Sequence, residues 1–107
     1  MLAFIETKLF TRLVEEFLSD DEYRELQLYL LDLPEAGAVI PGSGGVRKLR
    51  WKATGRGKRG GYRIIYFVRS FDEKIWLLTM YVKNEQDNIS AKMLNAIRKE
   101  IEDETET

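Results

Sequence analysis

The sequence predicts an α+β domain: a small antiparallel sheet of three to four strands, packed with two N-terminal helices and one C-terminal helix. Three observations predict it. Apolar residues recur at helical spacing between Thr7 and Leu33, and again beyond Ser90. From Val46 to Val82 the period changes to two, and β-branched and aromatic residues dominate. The links between those strands are short, which favours antiparallel pairing and segregates the helices from the sheet.

Each element follows in order. Leu2 to Glu6 is a short apolar run that reads as an opening strand. Phe10, Leu13, Val14, Phe17 and Leu18 fall on one face of a first helix, with Thr7 as its N-cap. Ser19 and Glu22 form an S-x-x-E capping box that starts a second helix. Its expected buried stripe is Tyr23, Leu26, Tyr29, Leu30 and Leu33, and Pro34 and Gly37 end it. Ile40 to Gly45 reads as a loop. In the strand Val46 to Trp51, Lys48 and Arg50 share one face while Leu49 and Trp51 share the other. Gly55 to Gly61 is a glycine-rich turn. Tyr62 to Arg69 and Lys74 to Val82 carry apolar side chains on both faces, so both are expected to be central and covered. The last helix starts near Ser90, with Ile89 and Leu94 as a hydrophobic staple and Leu94, Ile97 and Ile101 as its stripe. The acidic stretch Glu102 to Thr107 is expected to fray.

Composition sets the bounds. A length of 107 residues predicts one domain, 1–107, with a single core. An apolar fraction of 44% is ordinary for a globular chain. There is no cysteine, hence no disulfide or thiol chemistry. There is no histidine either, which excludes a histidine acid–base, Ser-His triads and His-ligated metals. No segment has the pattern of a signal peptide or reaches about 18 continuous apolar residues, so a soluble cytoplasmic chain with no membrane partner is expected.

The charge distribution carries the functional signal. Net charge is −1, yet Arg47, Lys48, Arg50, Lys52, Arg56, Lys58, Arg59 and Arg63 place eight basic groups within 17 residues that hold no acidic one. Three readings stand: a solvated face, a generic nucleic-acid surface, or a phosphate-gripping catalytic site. Lys48 and Arg50 lie about 6.5–7 Å apart on one face, and Arg63 on the partner strand can supply a bidentate guanidinium between them. Gly55, Gly57 and Gly60 match G-x-G-x-x-G, but a strand follows where a dinucleotide fingerprint needs a helix, so a hairpin turn is the simpler reading. Trp51 shares parity with Leu49 and reads as core more readily than as a base-stacking platform. Tyr81 either packs or contacts ligand. Glu15, Glu16, Asp20, Asp21, Glu22 and Glu25 make a solvated acidic face, or a partner site.

Several runs together resemble a known family: FIET at Phe4 to Thr7, LSDDEY at Leu18 to Tyr23, and LPEAGAVIPGSGGVRKLRW at Leu33 to Trp51. GRGKRGGYRIIYF at Gly55 to Phe67 and LLTMYVKNEQDNIS at Leu77 to Ser90 continue the likeness. The chain resembles the RelE/ParE superfamily of bacterial type II toxins, and within it the HigB branch of RelE-like mRNA interferases. The resemblance implies ribosome-dependent cleavage of mRNA in the A site of the 70S ribosome, without metal or other cofactor. It also implies neutralisation by a cognate antitoxin, a HigA-like helix-turn-helix protein, with the free toxin a monomer. The alternatives are a ParE-like gyrase poison and a non-catalytic nucleic-acid-binding module.

Carried over residue by residue, the family's paired basic residues fall on Lys48 and Arg50. Its Gly-Tyr-Arg motif falls on Gly61, Tyr62 and Arg63, where the arginine binds the transition-state phosphate. The basic residue ending the last strand falls on Lys83, although the family's Lys-Arg is Lys83-Asn84 here. RelE's late catalytic tyrosine has no counterpart, and the histidine of some HigB relatives is missing. The expected catalytic set is therefore Lys48, Arg50, Arg63 and Lys83. Lys48 is the candidate base, since crowding by like charges favours the neutral form of an amine. The expected RNA-binding set is Arg47, Lys52, Arg56, Lys58, Arg59 and Tyr81.

Overall fold

A computed structural model describes residues 2–53, 61–83 and 90–104. The chain runs β1 (Ala3–Glu6), α1 (Lys8–Phe17), α2 (Asp20–Asp32), β2 (Ala38–Val39), β3 (Arg47–Trp51), β4 (Tyr62–Arg69), β5 (Lys74–Val82) and α3 (Ala91–Glu104). The sheet order is β1-β5-β4-β3-β2. β2, β3, β4 and β5 pair antiparallel in sequence, whereas β1 joins the far edge parallel to β5. The α+β class and the flanking helices match expectation. The sheet is larger than the three to four strands expected and is mixed. Helices α1 and α2 connect β1 to the rest of the sheet, which frees β1 from hairpin geometry and lets it run parallel. β2 has two residues and no apolar alternation, so periodicity gives no signal for it.

The N-terminal helices are capped as the sequence demands. The Thr7 hydroxyl accepts from the Phe10 amide (3.0 Å) and itself donates to the Leu78 carbonyl (2.7 Å), so one side chain both caps α1 and ties it to β5. Ser19 and Glu22 form the reciprocal capping box of α2. Phe10, Val14, Leu18, Leu26 and Leu30 bury against Leu49, Tyr62, Ile64, Tyr66, Ile75 and Leu77 on one side of the sheet. Tyr23 donates to Glu6 (2.5 Å), and burial, reinforced by that carboxylate, pushes its phenol well above the usual tyrosine range. Tyr29 and Leu33, expected in the buried stripe, are 38% and 49% exposed. Tyr29 packs against Trp51 of β3, at 5.4 Å between ring centres, and Leu33 is the C-cap residue, past the last turn of α2.

α3 covers the opposite face. Leu94 and Ile101 bury with Val46, Ile65, Phe67, Leu78 and Tyr81. The Ser90 hydroxyl accepts from the Met93 amide (3.1 Å), as an N-cap should. Ile89, the other half of the expected staple, lies outside the described residues. The helix continues through Glu104, past the point where fraying was expected.

Helices cover both faces of β5, and a β-bulge sets which of its residues meets which layer. Ile65 pairs with Thr79 but Tyr66 pairs with Leu77, leaving Leu78 unopposed. The side-chain alternation therefore slips by one. Ile75 and Leu77 face the N-terminal helices, and so do Met80 and Val82, while Leu78 and Tyr81 face α3.

Candidate phosphate-binding cleft

The sheet register assembles the cationic site. Arg50 pairs directly with Arg63, and Arg63 with Tyr81. Two rows to one side, Lys48 pairs with Ile65, which pairs with Thr79. To the other side, the Lys83 amide donates to the Gly61 carbonyl (3.2 Å), continuing the β4–β5 ladder beyond Val82. Lys48, Arg50, Arg63 and Lys83 thus occupy three alternate rows, with the two arginines in the middle. Like charges directly opposite on a sheet are destabilising. A cross-strand Arg50–Arg63 pair is therefore poor packing design and good anion-binding design.

Two openings border these residues. One, of ≈570 Å³, is lined by Arg50, Trp51, Lys52, Ala53, Gly61, Arg63 and Lys83. The other, of ≈420 Å³, is lined by Ala36, Ala38, Lys48, Leu49, Arg50 and Arg63. Arg50 and Arg63 are common to both, and among the described residues neither lining contains an acidic side chain. Lys48, Arg50, Lys52 and Lys83 are exposed, whereas Arg63 is only 8% exposed. Its Nη1 donates to the Tyr62 carbonyl (3.3 Å). The central cation is buried and bonded to backbone, while the peripheral ones are exposed to water.

Gly61 is a backbone requirement of the site. Its φ is +71°, and a Cβ there would collide with the Trp51 carbonyl oxygen. Only glycine lets β3 and β4 close together at this end and bring Arg63 beside Arg50.

The remaining expected residues sort by position. Lys52 lines the larger opening. Arg47 has the opposite parity to Lys48 and Arg50, and its Nη1 donates to the carbonyls of Glu35 (3.1 Å) and Gly37 (2.7 Å). Tyr81 shares Arg63's row but is buried beneath α3 and lines a different cavity. Arg56, Lys58 and Arg59 lie outside the described residues. Trp51 is half-buried, lines the larger basic opening and packs its ring 5.4 Å from that of Tyr29, so it is both core and cleft wall. The sequence reading did not single out Tyr66. Its hydroxyl donates to the Pro34 carbonyl (2.8 Å) and accepts from the Gly37 amide (2.8 Å), fixing the loop beside the smaller opening. Burial raises the pKa of its phenol.

A separate opening of ≈560 Å³ lies between α1, the end of β5 and α3. Leu9, Leu13, Phe17, Met80, Met93 and Ile97 line it, and no charged side chain does, so it offers nothing to a phosphate. Among the described residues no group of three or more Asp or Glu side chains is placed to hold a metal ion. No helix among them is long and apolar enough to cross a membrane.

Comparison with known proteins bears on the same region. A family model described as the RelE toxin of the RelE/RelB toxin–antitoxin system matches residues 35–105, which include all four expected catalytic residues. Among solved structures, a chain of the intact E. coli RelBE toxin–antitoxin complex is similar in fold, with a TM-score of 0.57. The two share 14% sequence identity, and the match covers 75% of this chain and 94% of that one.

Proposed function

This chain belongs to the RelE toxin family, and on that premise we propose that it is the toxin of a type II toxin–antitoxin system, an endoribonuclease that cleaves mRNA in the ribosomal A site. The observation that carries the reading is the three-row order of the site: Lys48 on one side, Arg50 and Arg63 in the middle, Lys83 on the other. An in-line displacement at phosphorus needs a base where the nucleophile attacks, cations at the equatorial oxygens, and an acid where the leaving group departs.

In this mechanism the RNA supplies its own nucleophile. Lys48 takes the proton of a ribose 2′-hydroxyl. The 2′-oxygen bonds to the adjacent phosphorus, and the bond from phosphorus to the 5′-oxygen breaks. Arg63, with Arg50 beside it, stabilises the charge that builds on the pentacoordinate phosphate. Protonated Lys83 delivers a proton to the departing 5′-oxygen. The products are a 2′,3′-cyclic phosphate and a 5′-hydroxyl. Arg63 suits the central task because it is buried and fixed before substrate arrives, so little reorganisation accompanies the reaction.

The partners follow from the same reading: the 70S ribosome, which presents mRNA in the required geometry, and a protein antitoxin. The sequence runs of the first subsection support the HigB branch and a HigA-like antitoxin. We take residues 1–107 as one toxin domain that works in the cytoplasm without a cofactor.

Mapping of mRNA ends on purified ribosomes tests the proposal. Wild-type protein is expected to produce codon-phased cuts in ribosome-bound mRNA, ending in cyclic or 3′-phosphate, and Arg63→Ala is expected to abolish them. Absence of cuts by the wild type would rule the reading out. Damage to DNA in place of cuts would point to a gyrase poison.

A further inference from the structure

We propose that the cleft at the C-terminal end of α2, lined by Tyr29, Asp32, Leu33, Pro34, Glu35 and Ala36, is a nucleobase pocket that selects bases bearing an exocyclic amino group. The inference rests on the RNA-binding reading of the adjacent cationic cleft and extends it to base selection.

Continuity is the first argument. Ala36 lines both this cleft and the smaller phosphate opening, which in turn shares Arg50 and Arg63 with the larger one. Ala36 and Ala38 are exposed and small, so the rim between the two openings is low. A strand whose phosphate rests on Arg50 and Arg63 has a short path over that rim. The walls touch too: Trp51 lines the larger basic opening, Tyr29 lines this cleft, and their rings lie 5.4 Å apart.

The lining is the second argument. The volume is ≈520 Å³, ample for a base. Tyr29 is 38% exposed and Leu33 is 49% exposed, the kind of aromatic and apolar surface on which an unstacked RNA base rests. Asp32 and Glu35 are exposed and supply carboxylate acceptors at the edge of that surface. Carboxylates accept from amino groups. Adenine, cytosine and guanine each carry one, whereas uracil has none, and its single imino N–H is flanked by two carbonyls that face a carboxylate with like partial charge.

Rigidity is the third. The wall from Pro34 to Gly37 is fastened from beneath: Tyr66 bonds the Pro34 carbonyl and the Gly37 amide, and Arg47 bonds the Glu35 and Gly37 carbonyls. No side chain fits at Gly37, where a Cβ would lie 2.8 Å from the Tyr66 ring. These contacts give Arg47, expected on sequence grounds to touch RNA directly, a positioning role behind the pocket. Asp32 also ends a helix whose last turn has no basic residue. An acid there opposes the helix dipole, so local stability does not explain its presence.

Short oligouridylates with one internal base changed to A, C or G provide the test, titrated into the full chain. The same substitutions are made at each codon position of ribosome-bound mRNA for cleavage mapping. At one register each amino-bearing base is expected to outperform uracil by about tenfold, and D32N/E35Q is expected to bring that ratio close to one. Y29A is expected to weaken binding of all four bases together. A wild type without base preference, or a ratio unchanged in D32N/E35Q, overturns the pocket. Cleavage with unchanged ratios would sink the pocket and leave the nuclease reading intact. A binding ratio that responds as expected without any ribosomal cleavage would support the pocket and remove the nuclease reading.

Discussion

Arg63 and Arg69 sit at opposite ends of β4, on the same face and both buried, at 8% and 2% exposure. Each donates to a backbone carbonyl, but the charges around them differ. Arg69 donates from Nε and Nη2 to the two carboxylate oxygens of Asp72 (3.0 and 2.6 Å), and from Nη1 to the Ile101 carbonyl of α3 (3.0 Å). Its guanidinium also lies 5.1 Å and 5.4 Å from the ring centres of Phe71 and Trp76. Arg63 faces Arg50 across the strand pair, in openings lined by Lys48, Lys52 and Lys83. One arginine is matched by the protein's own carboxylate and carbonyl. The other donates to the Tyr62 carbonyl and lies beside like charges, in openings whose potential favours an external anion. The difference teaches where to look for function on a sheet: a buried charge fully matched within the fold fastens it, and one crowded by like charges is kept for a ligand.

Substitution of both arginines breaks the comparison most directly. Arg63→Ala is expected to lower the cleavage rate on ribosomes by about 10²–10³-fold, the scale of losing one preorganised donor to a reacting oxyanion. Its melting temperature should stay at or above that of the wild type, because the Arg50–Arg63 repulsion is relieved. Arg69→Ala is expected to do the reverse. It strands the Ile101 carbonyl, leaves Asp72 without its fork and empties the space between two rings, at a cost of about 2–4 kcal/mol of stability. The cleavage rate per folded molecule should be retained. Chemical denaturation and single-turnover cleavage of both variants check the pair of expectations. A destabilised Arg63→Ala with normal activity would dissolve the contrast.

Tyr66 sharpens the contrast from the other side of the sheet. Tyr66→Phe keeps the ring and removes only the hydroxyl that bonds the Pro34 carbonyl and the Gly37 amide. Two loop groups lose their partner, at an expected cost of about 1–3 kcal/mol, read by denaturant titration. The effect should be smaller than that of Arg69→Ala, since no charge is uncovered. A loss as large as that of Arg69→Ala would make the 34–37 loop as central to the fold as the α3 clamp.

Much of this was legible in the residues. The caps at Thr7 and Ser19 were readable because capping is a local interaction with a fixed spacing. The alternation through Val46 to Trp51 put Lys48 and Arg50 on one face before any coordinates, and the Gly61-Tyr62-Arg63 motif marked the partner strand. The pairing of Arg50 with Arg63 itself was not legible, because register depends on turn geometry and on long-range packing. Arg47 shows the limit of counting charges: it sits inside the basic block, yet parity sends it to the other face, where it bonds two carbonyls. Arg69 shows the converse, since nothing in one sequence tells a clamping arginine from a catalytic one. The slip at Leu78 and the two-residue strand β2 leave no periodic trace. β1 was read as a strand, but its parallel pairing depends on the path of two intervening helices.

The smallest expected effect concerns the charge state of the matched arginine's partner. The hydrogen bonds from Arg69, aided by Lys74 at 3.6 Å, hold the Asp72 carboxyl below the usual carboxylate range. A carboxyl whose folded pKa is depressed contributes stability that is fully present above its unfolded value, about 3.9, and is lost as pH falls through the lower folded value. Asp72→Asn keeps the shape and removes the charge. Its melting temperature is expected to lie below that of the wild type by a constant amount from about pH 5 to 8, with the gap narrowing below about pH 4. Thermal melts across that range measure it. A gap that persists unchanged to pH 2 would mean that Asp72 acts through shape and hydrogen bonding alone. Arg69 would then be matched by the carbonyl and rings around it more than by a counter-charge, and the contrast with Arg63 would rest on geometry in place of charge.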